Sequence, residues 1–176
     1  VTLSPIAAYN ALAYDLEFSE KTEGTILLDV GTTSSDLVVA DAGRMWIRTF
    51  PLGGHQFTQA LVDAFKVGYS KADKLKREAQ DTAHSKQIFA AMRPVFTDLA
   101  QDVQRSIQYY QSLHKEAQLK RIIGVGSTFS LPGLRKYLKQ QVGIEVYRVE
   151  EFKKLNPNDI DASRRQEFID NSVTLV

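Results

Sequence analysis

GTILLDVGTTSSDLVVADAGRMWIRTFPLGGHQFTQAL, residues 24–61, is the stretch that decides the fold. A short apolar run, Thr25 to Leu28, ends on Asp29 and meets the small-residue turn Val30-Gly31-Thr32-Thr33-Ser34. A second run, Asp36 to Ala40, reverses at Asp41-Ala42-Gly43 into a third, Met45 to Phe50. Three short strands joined by tight turns predict an antiparallel meander. After Pro51-Leu52-Gly53-Gly54 the spacing becomes helical at Phe57, Leu61, Ala64 and Phe65. A carboxylate at a strand end, beside a turn rich in N–H and hydroxyl donors, suits a metal-bound phosphate chain. Hairpins that bind nothing share this spacing, so the pattern alone leaves both readings open.

Composition removes several functions. With 176 residues, the chain can bury one sizeable core or two small lobes. Its net charge of +1 gives no reason to invoke nucleic acid or an anionic membrane as partner. There is no cysteine, which excludes disulfides, thiolate nucleophiles and cysteine–metal sites. No apolar run approaches the ~20 residues that span a bilayer, and nothing reads as a signal peptide. The chain opens without methionine and stops on the apolar Ser172–Val176, which suggests a piece of a longer protein.

The flanking chain supplies helices and one further strand–helix–strand unit. Ser4-Pro5 reads as an N-cap and first helical position, followed by Ile6, Ala7, Asn10, Ala11, Ala13, Tyr14 and Leu16 as an apolar stripe. The central helix is expected over Gly54 to Val67, and Ser70 is placed to cap a charged helix, Lys71 to Ala79. Asp81 to Lys86 is a polar joint. Ile88, Met92, Val95, Phe96, Leu99, Val103, Ile107, Tyr110 and Leu113 then give the strongest helical period in the chain. Pro94 predicts that this helix starts or kinks there. Phe96, Tyr109 and Tyr110, at helical spacing, read as core. A strand, Arg121 to Val125, leads through Gly126-Ser127-Thr128 to a helix over Leu134 to Gln141, closed by Gly143, and a strand from Ile144 to Val149. Gly124-Val125-Gly126 is not a dinucleotide fingerprint, because its third glycine would fall on Phe129. The rest, with its charged loop, Pro157 and an amphipathic piece around Phe168-Ile169, carries no legible chemistry.

No other catalytic constellation emerges. His55, His84 and His114 are scattered without carboxylates at ligand spacing; His55 reads as a first-turn surface residue. Ser127 lacks a nucleophile frame. Arg135, Lys136 and Lys139 read as a solvated helix face.

DVGTTSSDLVV resembles the second phosphate loop of the actin, Hsp70 and sugar-kinase superfamily. With PLGG and Thr58 after it, the stretch is similar to FtsA and, more closely, to the type IV pilus assembly PilM family. Ala72 to Lys76 resembles that group's A-E-x-x-K helix, with Asp73 one methylene shorter than the glutamate. Gly126, Pro132 and Gly133 match its adenosine motif, with Ser127, Thr128 and Phe129 where G-G-A is usual. Glycine allows close backbone approach and positive φ, while threonine and phenylalanine restrict both, so the adenosine side is weakened; Phe129 would cover the base or fill its place. Four motifs occur in the family's order between about Ile6 and Leu155.

The resemblance implies an α/β lobe of the actin-like ATPase (RNase-H-like) fold, a mixed sheet with helices packed on it. Residues 1–20 would be a hinge helix from a preceding lobe, 21–150 the nucleotide-binding second lobe with a small helical insertion at 69–87, and 151–176 a truncated C-terminal segment. ATP would be contacted by Gly31, Thr32, Thr33, Gly53, Gly54, Asp73, Lys76, Gly126 and Ser127, with Mg2+ on Asp29; no catalytic residue is nameable. The implied role is that of a cytoplasmic adaptor, at most a weak ATPase, holding the cytoplasmic tail of a PilN-like inner-membrane protein. It would reach the membrane only through partners, with self-association also implied. The alternative is a phosphotransferase or chaperone-type ATPase of the same superfamily.

Overall fold

The computed structural model describes residues 4–19, 22–79, 84–149 and 154. Five strands form one mixed sheet: β1 (Gly24–Val30), β2 (Ser35–Asp41), β3 (Arg44–Phe50), β4 (Leu119–Val125) and β5 (Glu145–Arg148), in the order β3-β2-β1-β4-β5. The first three run antiparallel, whereas β1–β4 and β4–β5 are parallel. The meander arises where the turns predict it. Ala42 (φ 47°) and Gly43 (φ 77°) both occupy positive φ, the geometry of a two-residue hairpin whose twist matches its strands.

One sheet face carries most of the core. Ile26, Leu28 and Val30 of β1, and Leu37 and Val39 of β2, alternate onto it. They meet α2 (Gly54–Phe65), α4 (Ser85–Leu113) and α5 (Leu134–Val142), with α3 (Tyr69–Arg77) docked on α2. Phe57 and Phe96 lock α2 to α4 with ring centroids 5.3 Å apart; burying each contributes about 1.5–3 kcal/mol. The other face carries Leu27, Val38, Ile123 and Val125 under α1 (Ser4–Asp15).

Several boundaries and faces differ from the sequence reading. Helix α1 buries Ala8, Leu12 and Asp15 and leaves Tyr14 59% exposed; an apolar helix with almost no amphipathic bias does not announce which side packs. Helix α2 ends at Phe65, on a left-handed Lys66. Gly68, rather than Ser70, precedes α3. Helix α4 does not start at Pro94, for it begins at Ser85 and runs 29 residues through the proline. Packing of Ile88 and Met92 against the core holds the turn that Pro94 deprives of a hydrogen bond. Phe96 and Tyr110 are core as expected, whereas Tyr109 is exposed and leans on Trp46 at 5.7 Å. Residues 81–83 of the 81–86 joint and all of the 151–176 segment except Lys154 lie outside the described residues.

Candidate functional site

A cleft of about 320 Å3 opens where the turn after β1 meets the start of α2, the outer face of α3 and the chain after β4. It gathers six expected residues from four separate segments: Gly31 and Thr32, Gly54, Asp73 and Lys76, and Ser127. Four others lie outside its lining: Asp29, Thr33, Gly53 and Gly126.

The turn and α2 form one unit. The Gly31 N–H donates to the Ser34 carbonyl at 3.0 Å, closing the turn. In return, the Gly31 and Thr32 carbonyls accept the first N–H groups of α2, from Gly54 at 2.8 Å and His55 at 2.7 Å. These donors are therefore spent on structure, which leaves the N–H and hydroxyl groups of Thr32 and Thr33, both exposed, to meet an anion. Gly53 makes the docking possible: a Cβ there would sit 2.6 Å from the Gly31 oxygen and 2.7 Å from Thr32. The Gln56 side chain completes the corner, accepting from the Gly53 N–H at 2.9 Å and donating to the Pro51 carbonyl at 3.2 Å.

Helix α3 contributes a charged knot. Lys76 Nζ lies 2.8 Å from Asp73 Oδ1, donates to Thr58 Oγ1 at 2.7 Å and reaches the Gly54 carbonyl at 3.3 Å. Arg77 Nε pairs with the other Asp73 oxygen at 2.9 Å. Burial pushes the Asp73 carboxyl up, but the Lys76 and Arg77 hydrogen bonds outweigh it and hold the group below the usual carboxylate range. The shorter aspartate thus reaches the lysine because the pair sits at i and i+3 on one helix face. Thr58, named in the sequence only as part of a motif, is the buried hydroxyl that ties this knot to α2.

Asp29 stands on the opposite sheet face. It is paired in register with Asp36 across β1–β2, and Thr49 donates to Asp36. Burial, with Asp36 adding to it, pushes the Asp29 carboxyl up to about 6. Gly126 (φ 89°) turns beside it; a Cβ there would lie 2.8 Å from the Val30 oxygen and 3.1 Å from Asp29 Oδ1. The glycine is required both for its φ and for the approach of the two strand ends.

Phe129 corrects the sequence reading. It neither covers a base nor fills the cleft, for it is 2% exposed and belongs to the core, its ring packed flat against β4. Gly124 exists for that ring: a Cβ there would fall 2.2 Å from it. Ser127–Ser130 form a short 3-10 turn that presents Ser127 and Ser130 to the cleft.

The sequence reading missed one pair. The His55 and Tyr69 rings stack at 5.3 Å, with Nδ1 and the hydroxyl 3.0 Å apart, and both line the cleft. His55 is a first-turn surface residue as expected, but fourteen residues separate it from Tyr69 and no local pattern joins them. Among the described residues no group of three or more potential metal-binding side chains occurs, and no helix is long and apolar enough to cross a membrane.

A model of the family described as "Type IV pilus assembly protein PilM" matches residues 5–174. No curated protein sequence matches the chain. Among solved structures, the "PilM-PilN type IV pilus biogenesis complex" is similar with a TM-score of 0.79 at 24% identity, over 99% of this chain and 50% of that one. The ethanolamine utilization protein EutJ from Carboxydothermus hydrogenoformans gives 0.63 at 23% identity, over 82% of this chain and 47% of that one. MreB 5 of Spiroplasma citri, bound to AMPPNP, gives 0.60 at 13% identity, over 80% and 53%. The chain spans about half the length of these structures, and the likeness is one of fold: an actin-like α/β lobe with a mixed sheet.

Proposed function

The chain belongs to the type IV pilus assembly protein PilM family, and from that premise we propose that it is the nucleotide-holding lobe of an actin-like assembly adaptor. In this reading the complete protein is cytoplasmic and holds the tail of a PilN-like inner-membrane protein. The relative solved as a PilM–PilN complex supports that partner, and the AMPPNP in MreB 5 supports the ligand class. The observation that carries the reading is the convergence of Gly31, Thr32, Gly54, Asp73, Lys76 and Ser127 on one cleft from four segments.

ATP would place its phosphates against the Thr32 and Thr33 donors and its ribose towards Asp73 and Lys76, with Ser127 on the adenosine side. Asp29 offers a carboxylate whose chemistry suits Mg2+, at the strand end beside the cleft and outside its lining. A partly buried carboxylate held near 6 by burial and a like charge is relieved by a cation, and Mg2+ keeps most of its ligands as water and phosphate oxygens. When bound, the metal supplies charge neutralisation for the phosphate chain; Asp29 supplies the anchoring carboxylate.

Equilibrium titration of the complete protein with Mg-ATP tests this. Lys76→Ala is expected to weaken binding roughly tenfold, about the 1.4 kcal/mol of one charge-assisted hydrogen bond, with the fold intact. Unchanged affinity in that variant would remove α3 from the site. Capture of a PilN-like tail by the complete protein, compared with and without ATP, tests the adaptor role.

A further inference from the structure

A second concavity of about 480 Å3, which shares no lining residue with the first cleft, lies between α4 and α5. Its floor is aromatic. Phe89 and Phe96 have centroids 5.5 Å apart, and Tyr137 follows at 5.9 Å from Phe96. Tyr137 is held in place: Thr97 Oγ1 donates to the Arg93 carbonyl at 3.1 Å, so the tyrosine hydroxyl, 2.8 Å away, donates to Thr97. On the wall stands Ala90, whose carbonyl receives no N–H from Pro94 four residues on.

The rim is cationic. Lys86, Arg93 and Lys136 are exposed lining residues, and none has an acidic partner among the described residues. Lys139, on the same helix as Lys136, is by contrast bridged to Glu145 at 2.6 Å. Among the described residues no carboxylate lines the groove. Three cations without a described acidic partner around one aromatic trough are a local feature, since the whole chain carries only +1.

We propose that this groove docks an acidic, amphipathic peptide segment of a protein partner. The segment lays a bulky apolar side chain on the half-buried Phe89 and Tyr137, which rest on the buried Phe96, and sets carboxylates against Lys86, Arg93 and Lys136. The aromatic floor supplies the buried area, and the cations supply orientation and association rate. A concave, aromatic trough favours a protruding side chain over a flat anionic bilayer, which would meet the rim but not the floor.

Selection of a displayed library of roughly 12-residue random peptides on the full chain tests this. The enriched peptides are expected to carry net negative charge and at least one large apolar residue. A synthetic representative should bind saturably, more weakly as salt rises from roughly 50 to 300 mM. The double variant R93E/K136E, at two exposed positions, should lose at least about tenfold in affinity with an unchanged melting curve. Neutral or basic enriched peptides, no enrichment, or binding indifferent to the double substitution would each overturn the proposal. So would either of two other occupants: phosphatidylserine vesicles that bind in an Arg93-dependent way while peptides do not, or a dimer in sedimentation that R93E/K136E dissolves.

Discussion

Asp29 occupies its position at the expense of stability. Its carboxyl, ordinarily near 3.8, is pushed to about 6 by burial and by Asp36 opposite. Between these values the folded chain binds more protons than the unfolded one, so stability falls as pH rises from about 4 to about 6 and stays reduced above that. The displacement corresponds to at most about 3 kcal/mol. Asp29→Asn is therefore expected to melt higher than the parent at pH 7.5 without Mg2+, with the advantage fading towards pH 4. The same variant should lose Mg2+-dependent ATP binding in the complete protein. A gain independent of pH in urea denaturation, or wild-type Mg-ATP affinity by calorimetry, would contradict this assignment. Asp29 was nameable from its place after an apolar run. That it lies across the sheet from Lys76 was not, because β-strand alternation had to be anchored by knowing which face packs.

Among the elements, α4 decides one of two alternatives, excluding a start at Pro94. Its apolar period from Ile88 to Leu113 was plain in the sequence, yet Pro94 predicted a start or a kink and the helix begins nine residues earlier. Local preference disfavours an internal proline by ~3 kcal/mol, but the buried Ile88, Met92, Val95 and Phe96 outweigh it on both sides of the proline. Pro94→Ala, at an exposed position, restores a donor to the Ala90 carbonyl. It should stabilise the chain by roughly 1–3 kcal/mol, read as a higher urea midpoint at unchanged slope. An unchanged or lower midpoint would show that the helix is bent to suit the proline. The corner between β3 and α2 is a second case. Pro-Leu-Gly-Gly reads in the sequence as a boundary with two ligand glycines, and the structure adds that Gly53 is needed for backbone packing on Gly31 and Thr32.

For the whole molecule, the cleft is walled on one side. Gly31, Thr32, His55, Tyr69 and Ser127 all lie exposed around it, so phosphates caught there would remain largely hydrated and their charge screened. Closing a second wall is what strengthens each hydrogen bond. The 176-residue chain should therefore melt as one cooperative unit, because the sheet is covered by α2, α4 and α5 on one face and α1 on the other. Its midpoint should move by less than about 1 °C in millimolar Mg-ATP, which by mass action means occupancy too weak to matter. A shift of several degrees with a saturable isotherm would show that the site is complete within these residues.

The meander, the long helix and the strand–helix–strand unit were legible because period and turn chemistry are local: short apolar runs broken by small-residue turns between Thr25 and Phe50, a repeat of three and four from Ile88, glycines where φ is positive. The ordered motifs likewise marked Gly31, Thr32, Gly54, Asp73, Lys76 and Ser127 as belonging together. What these residues do to one another was not local. Lys76 is tied to Thr58 and Asp73, the first α2 donors are consumed by the Gly31 and Thr32 carbonyls, and Phe129 turns into the core over Gly124. The stack of His55 on Tyr69 and the aromatic groove between α4 and α5 join residues far apart in the chain. Such contacts depend on how helices pack across a sheet, and no spacing along the chain encodes that distance.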